Sequence, residues 1–517
     1  MAPLLSITVF SILLHSLSPI IVVAVDLSSW CKLTPHPKEC QAYLSHGRNP
    51  LTPINGAPAF LRLSMETALT TTANLTKTAA SLGPECKDPR EQAALEDCLE
   101  VFEMAMEHLS KTLTRQCTQE DSQTWLSSAL TYFQTCSAGF SDLGITNSHV
   151  ERLISNADVS YLISNTLAIN KIGGSGGQTP SYRDGFPSWV SPGDRKLLQS
   201  STITPNVVVA QDGSGDYTTV TAAVNAAAKR SGDGRFVIQV KSGTYNENVQ
   251  IGKSVKNIML LGDGIGKTII TGSKSVAGGS TTFRSATVAA VGDNFIARGI
   301  TFRNTAGASK HQAVALRSGS DLSVFYLCSI EGYQDTLYVY SNRQFYRQCD
   351  IYGTVDFIFG NAAVVIQDCN IYPRYPPGGK NTITAQGRTD PNQNTGISIQ
   401  NCKVTAASDL AGKTSGVQTY LGRPWQEYSR TVFLTTYLDS LIAPAGWLEW
   451  SGNFALNTLY YGEYENTGPG SSTANRVNWK GYHVITSAAE ASKFTVANFI
   501  AGGSWLPATN VPYDSGL

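Results

Sequence analysis

The chain has 517 residues, 42% of them hydrophobic and 15% charged, which is too long for one ordinary domain and apolar enough to bury full cores. Its 46 Gly and 22 Pro are near ordinary usage, excluding a collagen-like or wholly disordered chain, and the hydrophobic fraction argues against a multi-span membrane protein. Lys plus Arg and Asp plus Glu balance at 39 each, yet residues 1–201 carry 14 basic against 18 acidic side chains (net −4) and residues 202–517 carry 25 against 21 (net +4). The cationic C-terminal part is therefore expected to meet an anionic partner, including its own N-terminal part.

Residues 1–25 contain no charged side chain, and the run PLLSITVFSILLHSLSPIIVVAV suits a secretory signal peptide or a signal anchor. Val22 and Ala24 offer the small residues that a signal peptidase needs, which favours a cleaved signal. Entry into the secretory pathway fits ten cysteines, which in an oxidising compartment read as disulfides more readily than as metal ligands. Asn74-Leu75-Thr76 is an N-glycosylation sequon.

Residues 26–170 read as helical. Leu95, Leu99, Phe102, Met106, Leu109 and Leu113 recur at steps of four and three, while Glu96, Asp97, Glu100, Glu103 and Glu107 occupy other faces. Further apolar-periodic stretches at 60–80, 124–136 and 151–168 make a four-helix bundle the simplest architecture. Six cysteines fall here; the spacing of Cys31 and Cys40 suggests a hairpin staple, and Cys98 with Cys136 would tie neighbouring helices. Residues 171–201 are rich in Gly, Ser and Pro and lack periodicity, so they read as a linker. Within it, Arg195-Lys196-Leu197-Leu198 is a dibasic pair followed by two leucines, a processing site for a protease of the secretory pathway.

From residue 202 to 517 the texture changes to short β-branched runs separated by Gly, Asn and Asp. An internal repeat emerges in the frames VFYLCSIEG, FYRQCDIYG, VIQDCNIY and ISIQNCKV, centred on Cys328, Cys349, Cys369 and Cys402. Apolar residues recur at fixed offsets: Phe325 and Ile330, Tyr346 and Ile351, Ile366 and Ile371, Ile399 and Val404. A period near 20 residues in strand-forming sequence is the signature of a parallel β-helix, and Cys328 with Cys349 form a third candidate disulfide. Gln312 to Gln334 and Asp335 to Asp356 are each separated by about one such period. Stacked in register, the two carboxylates come from adjacent strands roughly 4.8 Å apart. Like charges that close cannot both ionise easily, so one should act as an acid while the other stays an anion.

The segments GTYNE (243–247), QAVAL (312–316), QDTL (334–337), DFIFG (356–360) and LGRPW (421–425) resemble, in the same order, the plant pectin methylesterases. The N-terminal part resembles the inhibitor domain that precedes the enzyme in this family as a pro-region, a four-helix bundle with four cysteines; Cys86 and Cys117 are additional here. The resemblance implies a right-handed parallel β-helix that hydrolyses methyl esters of galacturonate in pectin without a cofactor. It implies Asp356 as nucleophile and Asp335 as general acid and then base. Gln312 and Gln334 would donate to the oxyanion, Arg423 would hold Asp356 ionised and oriented, and Trp425 and Trp447 would stack on sugar rings. It further implies a secreted cell-wall protein, a subtilisin-like protease acting at the linker, and inhibition by a helical domain in cis or in trans. No feature points to nucleic acid.

Three other features are set aside. GDGIGKT (262–268) has three residues between Gly262 and Gly266 where a phosphate loop needs four, so it reads as a turn between coils. Only His311 and His483 follow residue 201, and no Gly-x-Ser-x-Gly elbow accompanies them, against a Ser-His-Asp hydrolase. The acidic residues do not cluster as a calcium cage requires. Two rivals are a β-helix lyase or glycosidase on the same polymer, the latter by inversion needing carboxyls farther apart than adjacent coils give, and a non-catalytic inhibitor-type binding protein.

Overall fold

The computed structural model describes residues 26–46, 54–114, 117–146, 148–155, 159–173, 182–183, 186–187 and 203–517; the leader of residues 1–25 and the Arg195–Leu198 site lie outside them. The N-terminal part is helical. α1 (Leu27–Cys31) and α2 (Pro37–Leu44) form a hairpin closed by a Cys31–Cys40 disulfide. The bundle proper consists of α3 (Ala57–Leu82), α4 (Pro89–Thr112), α5 (Gln119–Asp142) and α7 (Val159–Gly173). The pattern expected across 151–168 is divided between α7 and a short α6 (His149–Ser155). α4 starts at Asp88, whose carboxylate accepts from the Arg90 N–H, with Pro89 in the first turn where no N–H is needed. α5 starts with a capping box in which Thr118 and Asp121 exchange side-chain-to-backbone bonds, each 3.0 Å. Cys98 and Cys136 bond α4 to α5. Asn74 is exposed midway along α3.

Leu95, Phe102 and Leu109 of α4 are buried as their spacing predicts, but so is Asp97 on the opposite side. The second face of α4 meets the other half of the chain rather than water.

Residues 207–484 carry three parallel sheets of eleven, eight and seven strands, in each of which every strand is bonded to its counterparts in the coils before and after. That is a parallel β-helix. The repeat frames stack in register: Phe325, Tyr346, Ile366 and Ile399 form one inward row, and Ile330, Ile351, Ile371 and Val404 another. All are buried in one continuous core. The corner between these rows is turned by Leu327, Gln348, Asp368 and Asn401, all at φ of 50–54°, a left-handed conformation that a single residue can adopt and that keeps the corner short. The GDGIGKT segment is a turn between the strands Ile258–Gly262 and Thr268–Gly272, with Gly266 at φ +74°. Helix α8 (Val220–Ala227) packs against the first coil, and Val496, Ile500, Trp505 and Leu506 near the C-terminus cover the outside of the eleven-stranded sheet.

One expectation is corrected here. Cys328 and Cys349 are free thiols, as are Cys369, Cys402, Cys86 and Cys117. Side chains in register on stacked parallel strands run side by side rather than toward one another. The Cys349 thiol accordingly donates to the Phe325 and Arg347 carbonyls, at 3.4 Å each. The four buried cysteines are an apolar ladder of the core.

The Cys98–Cys136 bond closes a 38-residue separation, so replacing both residues by Ala is expected to cost the bundle about 3 kcal/mol. Thermal denaturation followed by circular dichroism at 222 nm should show the helical transition moving to lower temperature while the β-helix transition stays in place.

Candidate active site

The seven-stranded sheet forms the floor of a cavity of about 250 Å³. Its row Tyr338, Phe359 and Ala385 is in register on successive coils, with the Tyr338 and Phe359 rings stacked at 4.1 Å. Trp425 stands edge-on to both, at 6.5 and 5.9 Å. It packs against the backbone of Gly387, where a Cβ would come within 2.8 Å of its ring. Gln312, Gln334, Asp335, Asp356 and Arg423 all line the same cavity, so the residues expected to gather around two carboxylates do so.

The two aspartates occupy equivalent corners of adjacent coils, two residues before the register pair Leu337 and Ile358. Both have left-handed backbones, φ 60° at Asp335 and 52° at Asp356, a conformation costly for most side chains and one that Asp tolerates better. The Asp335 N–H donates to the Val355 carbonyl at 3.0 Å. The Asp356 N–H donates to Thr382 Oγ1 at 2.8 Å.

The environments of the two carboxyls differ. Arg423 donates from Nε to Asp356 Oδ1 at 2.8 Å and from Nη2 to Oδ2 at 2.6 Å, and Thr382 Oγ1 donates to Oδ1 at 2.6 Å. Three charge-assisted bonds fix the plane of this carboxylate. They leave Oδ2 the less engaged oxygen, with a lone pair free toward the cavity. Asp335 has no comparable grip. Burial pushes its carboxyl well above the usual range, the Asp356 and Asp142 charges push it further, and Arg423 only partly opposes them. The pair thus sets a carboxylate gripped by Arg423 and Thr382 beside one whose proton is held more tightly than usual.

One expected residue is elsewhere. Trp447 is 1% exposed, stacked on Tyr461 at 4.1 Å with its Nε1–H donated to Glu463 at 3.2 Å; it is a core residue and faces no ligand. The tryptophan that lines the cavity together with Trp425 is Trp450, 37% exposed, with the Arg423 guanidinium 4.3 Å from its ring. Both lie in the GWLEW segment (446–450), and nothing in the spacing distinguishes them. Thr382 was likewise missed, since its role depends on a strand one coil beyond Asp356.

The remaining wall comes from the bundle: Thr135, Ala138, Gly139 and Asp142 of α5 line the cavity. Asp142 accepts from the Thr282 N–H at 2.8 Å, and burial raises its carboxyl above the ordinary value. Around this plug, Tyr340 donates to Thr135 at 2.9 Å and Asn361 to Thr131 at 2.8 Å. Farther out, Arg343 pairs with Asp121 at 2.7 Å, Lys256 with Glu107 at 3.0 Å and Lys253 with Glu103 at 2.7 Å. Among the described residues, no group of three or more His, Cys, Asp or Glu is arranged to hold a metal ion.

Comparison with known proteins gives two family matches: Pectinesterase over residues 206–503 and Plant invertase/pectin methylesterase inhibitor over residues 26–169. Pectinesterase 2 of Citrus sinensis is 62% identical over 494 residues, 95% of each chain. The Arabidopsis thaliana protein named probable pectinesterase/pectinesterase inhibitor 17 is 62% identical over 495 residues, 95% of this chain and 94% of its own. Among solved structures, the pectin methylesterase from carrot matches with a TM-score of 0.60 and 64% identity, covering 62% of this chain and 100% of the carrot chain.

Replacing Trp450 by Ala should raise KM for polymeric substrate about fivefold at unchanged melting temperature, as expected for an exposed aromatic platform. Trp447→Ala should instead lower stability by about 3–5 kcal/mol. Steady-state kinetics and chemical denaturation of the two variants check the assignment.

Proposed function

The chain belongs to the pectinesterase family and hydrolyses the methyl esters of pectin, and on that footing we propose that it works through an aspartyl acyl-enzyme whose cleft its own N-terminal bundle closes. The observation that carries the chemistry is the contrast between the two carboxyls: Asp356 is gripped by Arg423 and Thr382, whereas Asp335 has no such grip and is raised by burial and by its neighbour.

In this reading Asp356 Oδ2 attacks the ester carbonyl carbon of a galacturonate residue. The carbonyl oxygen becomes an oxyanion that accepts from the Gln312 and Gln334 amides. As the tetrahedral intermediate collapses, the carbon–methoxy bond breaks and Asp335 gives its proton to the departing methoxide, releasing methanol. The resulting anhydride joins Asp356 to the uronate carbonyl. Asp335, now a carboxylate, takes a proton from water as the water oxygen attacks that carbonyl. Breaking the anhydride returns Asp356 as an anion, Asp335 in its acid form and the sugar as a free carboxylic acid, which gives its proton to solvent. The net reaction consumes one water and yields one methanol and one carboxyl. Trp425 and Trp450 supply apolar faces for the sugar rings.

The bundle would act in cis. α5 closes the cavity, and its Asp142 sits where the ester would lie, so the intact chain is expected to be silent. Cleavage after Leu198 by a subtilisin-like protease, during secretion to the cell wall, would sever the tether and release a cationic enzyme toward anionic pectin. A bundle free in solution would inhibit in trans by the same contacts.

Asp356→Asn and Asp335→Asn keep the shape of the side chain but can neither attack nor transfer a proton; each is expected to lower methanol release by about 10³-fold or more. A folded Asp356→Asn enzyme retaining half its activity would rule out the covalent route. Methanol release without loss of polymer viscosity separates this activity from a lyase or glycosidase.

The closed arrangement should also tighten in acid. Burial raises Asp97 from 3.8 to about 6, more than the nearby Arg284 lowers it. Asp335 and Asp142 are raised as well. A carboxyl with a higher pKa in the docked state takes up a proton on docking, so docking gains as pH falls from about 6 toward 3.8 and the gain is lost above 6. Glu107 is shifted the other way, by Lys111 and Lys256, so that its opposing effect falls below about pH 4.5. From Asp97 alone, the association constant at pH 5 should exceed that at pH 7 about tenfold. Size-exclusion chromatography of the chain cut in its linker, run at both values, should show more of the two fragments travelling together at pH 5.

A further inference from the structure

Among the described residues Arg317 is the largest fully buried charged side chain, and the reaction makes no use of it. It is 1% exposed, yet its Nε and Nη1 atoms are buried with no hydrogen-bond partner. Its guanidinium lies 3.4 Å from the centre of the Phe283 ring and 5.7 Å from that of Tyr340. A guanidinium removed from water without a carboxylate on it is expensive.

Its position explains what it faces. Arg317 is in register with Tyr338, which is in register with Phe359, so it extends the row on the cavity floor by one coil. Phe283, on which it rests, also lines the cavity. In the closed chain this end of the row is covered by α4. Asp97 and Glu100, three residues apart and on one helical face, both pair with Arg284, at 2.5 and 3.0 Å, and Thr281 donates to Asp97 at 2.5 Å. Both charges act on Arg317, yet neither completes its hydrogen bonds. The bundle brings two carboxylates to two arginines and forms ion pairs with one of them, Arg284.

We propose that Arg317, supported by Arg284, is a subsite for the carboxylate of an already de-esterified galacturonate residue next to the reacting ester, and that Asp97 and Glu100 hold the place of that carboxylate in the closed chain. This rests on the esterase reading and on removal of the bundle. Once α4 leaves, Arg317 is exposed along the floor of the cleft with its donors unspent. Phe283 beneath it fixes the guanidinium plane so that a planar carboxylate meets it edge to edge. The ligand is a uronate carboxylate within the polymer, so the enzyme would favour esters beside existing free acids over esters in fully methylated stretches.

The carrot enzyme, all of whose chain matches 62% of this one, is a folded structure of about the size of the β-helix part, so residues 203–517, freed by cutting the folded full chain in its linker and checked by circular dichroism, serve for the test. Methanol release is measured on fully methyl-esterified pectin and on the same pectin with half its esters removed in blocks. Arg317→Gln is expected to raise KM on the partly de-esterified polymer about tenfold, with a far smaller change on the fully esterified one, and Arg317→Lys, which keeps the charge but not the planar fork, to restore only part of the difference. Calorimetry with a galacturonate trimer should show binding that weakens about tenfold in Arg317→Gln and falls with added salt. An equal change on both polymers, or none on either, overturns the proposal, as does trimer binding indifferent to Arg317. If the unaltered protein releases no methanol from either polymer, the esterase reading fails instead, and the trimer measurement still decides the subsite. Should Arg317→Gln not fold, Arg284→Gln, on the rim of the same subsite, is expected to shift the ratio of the two KM values about threefold in the same direction.

Discussion

Stacking of parallel coils in register is the constraint on which everything else in the catalytic part depends. Backbone bonding between coils fixes the spacing of equivalent residues near 4.8 Å, and that spacing is what sets Asp335 against Asp356. Two carboxyls held there by a rigid ladder cannot move apart to relieve their repulsion, so the one without a cationic grip is pushed toward its protonated form. Arg423 and Thr382 reach Asp356 from later coils and complete the asymmetry. The same stacking lines up Arg317, Tyr338 and Phe359, which turns the outside of one sheet into a continuous track. The cleft is thus a consequence of the repeat: a polymer with its own repeat meets a surface that repeats under it.

The bundle exploits that track. Its core and the cleft floor form a single apolar cluster, in which Phe283, Tyr338, Tyr340 and Phe359 join Met104, Tyr132 and Phe133. Around it, the pairs Arg343–Asp121, Lys256–Glu107, Lys253–Glu103 and Arg284–Asp97 all set a base of the β-helix against an acid of the bundle. Lys111–Asp293 has the reverse polarity. Exposed pairs such as Lys253–Glu103 contribute little, about 0–1 kcal/mol each. The apolar cluster supplies affinity, and the charges supply orientation and sensitivity to pH.

Much of this was legible in the sequence, for identifiable reasons. The frames around Cys328, Cys349, Cys369 and Cys402 gave both the period and the inward rows, because a buried β-helix coil must repeat its apolar positions to stack. The opposed charges of the two halves reappear as the interface just described. Other features were not legible. The free thiols contradict a disulfide between Cys328 and Cys349, because spacing along the chain says nothing about the direction of side chains on parallel strands. Trp447 and Trp450 sit three residues apart in one segment, and only the fold decides which is core. The acidic face of α4 gave no sign of what it meets, since amphipathic periodicity marks where apolar residues lie and cannot tell water from a charged partner. Arg317 carries no sequence signal either; what marks it is burial without a hydrogen bond.

A covered cleft has to reconcile two demands on one surface. It must bind an anionic polymer when open, and it must be sealed by a folded domain when closed. A seal made only of apolar contacts would leave the cationic groups of the cleft buried and unpartnered, whereas a strongly paired one would resist separation after the linker is cut. The arrangement lies between these limits. Arg284 is paired by the bundle and Arg317 is not, so closure carries a desolvation cost that the tether offsets by keeping the two parts at high effective concentration. Were the tether cut, that offset would disappear, and on the subsite proposed above the carboxylates of the polymer would compete with those of α4 for the same guanidinium groups.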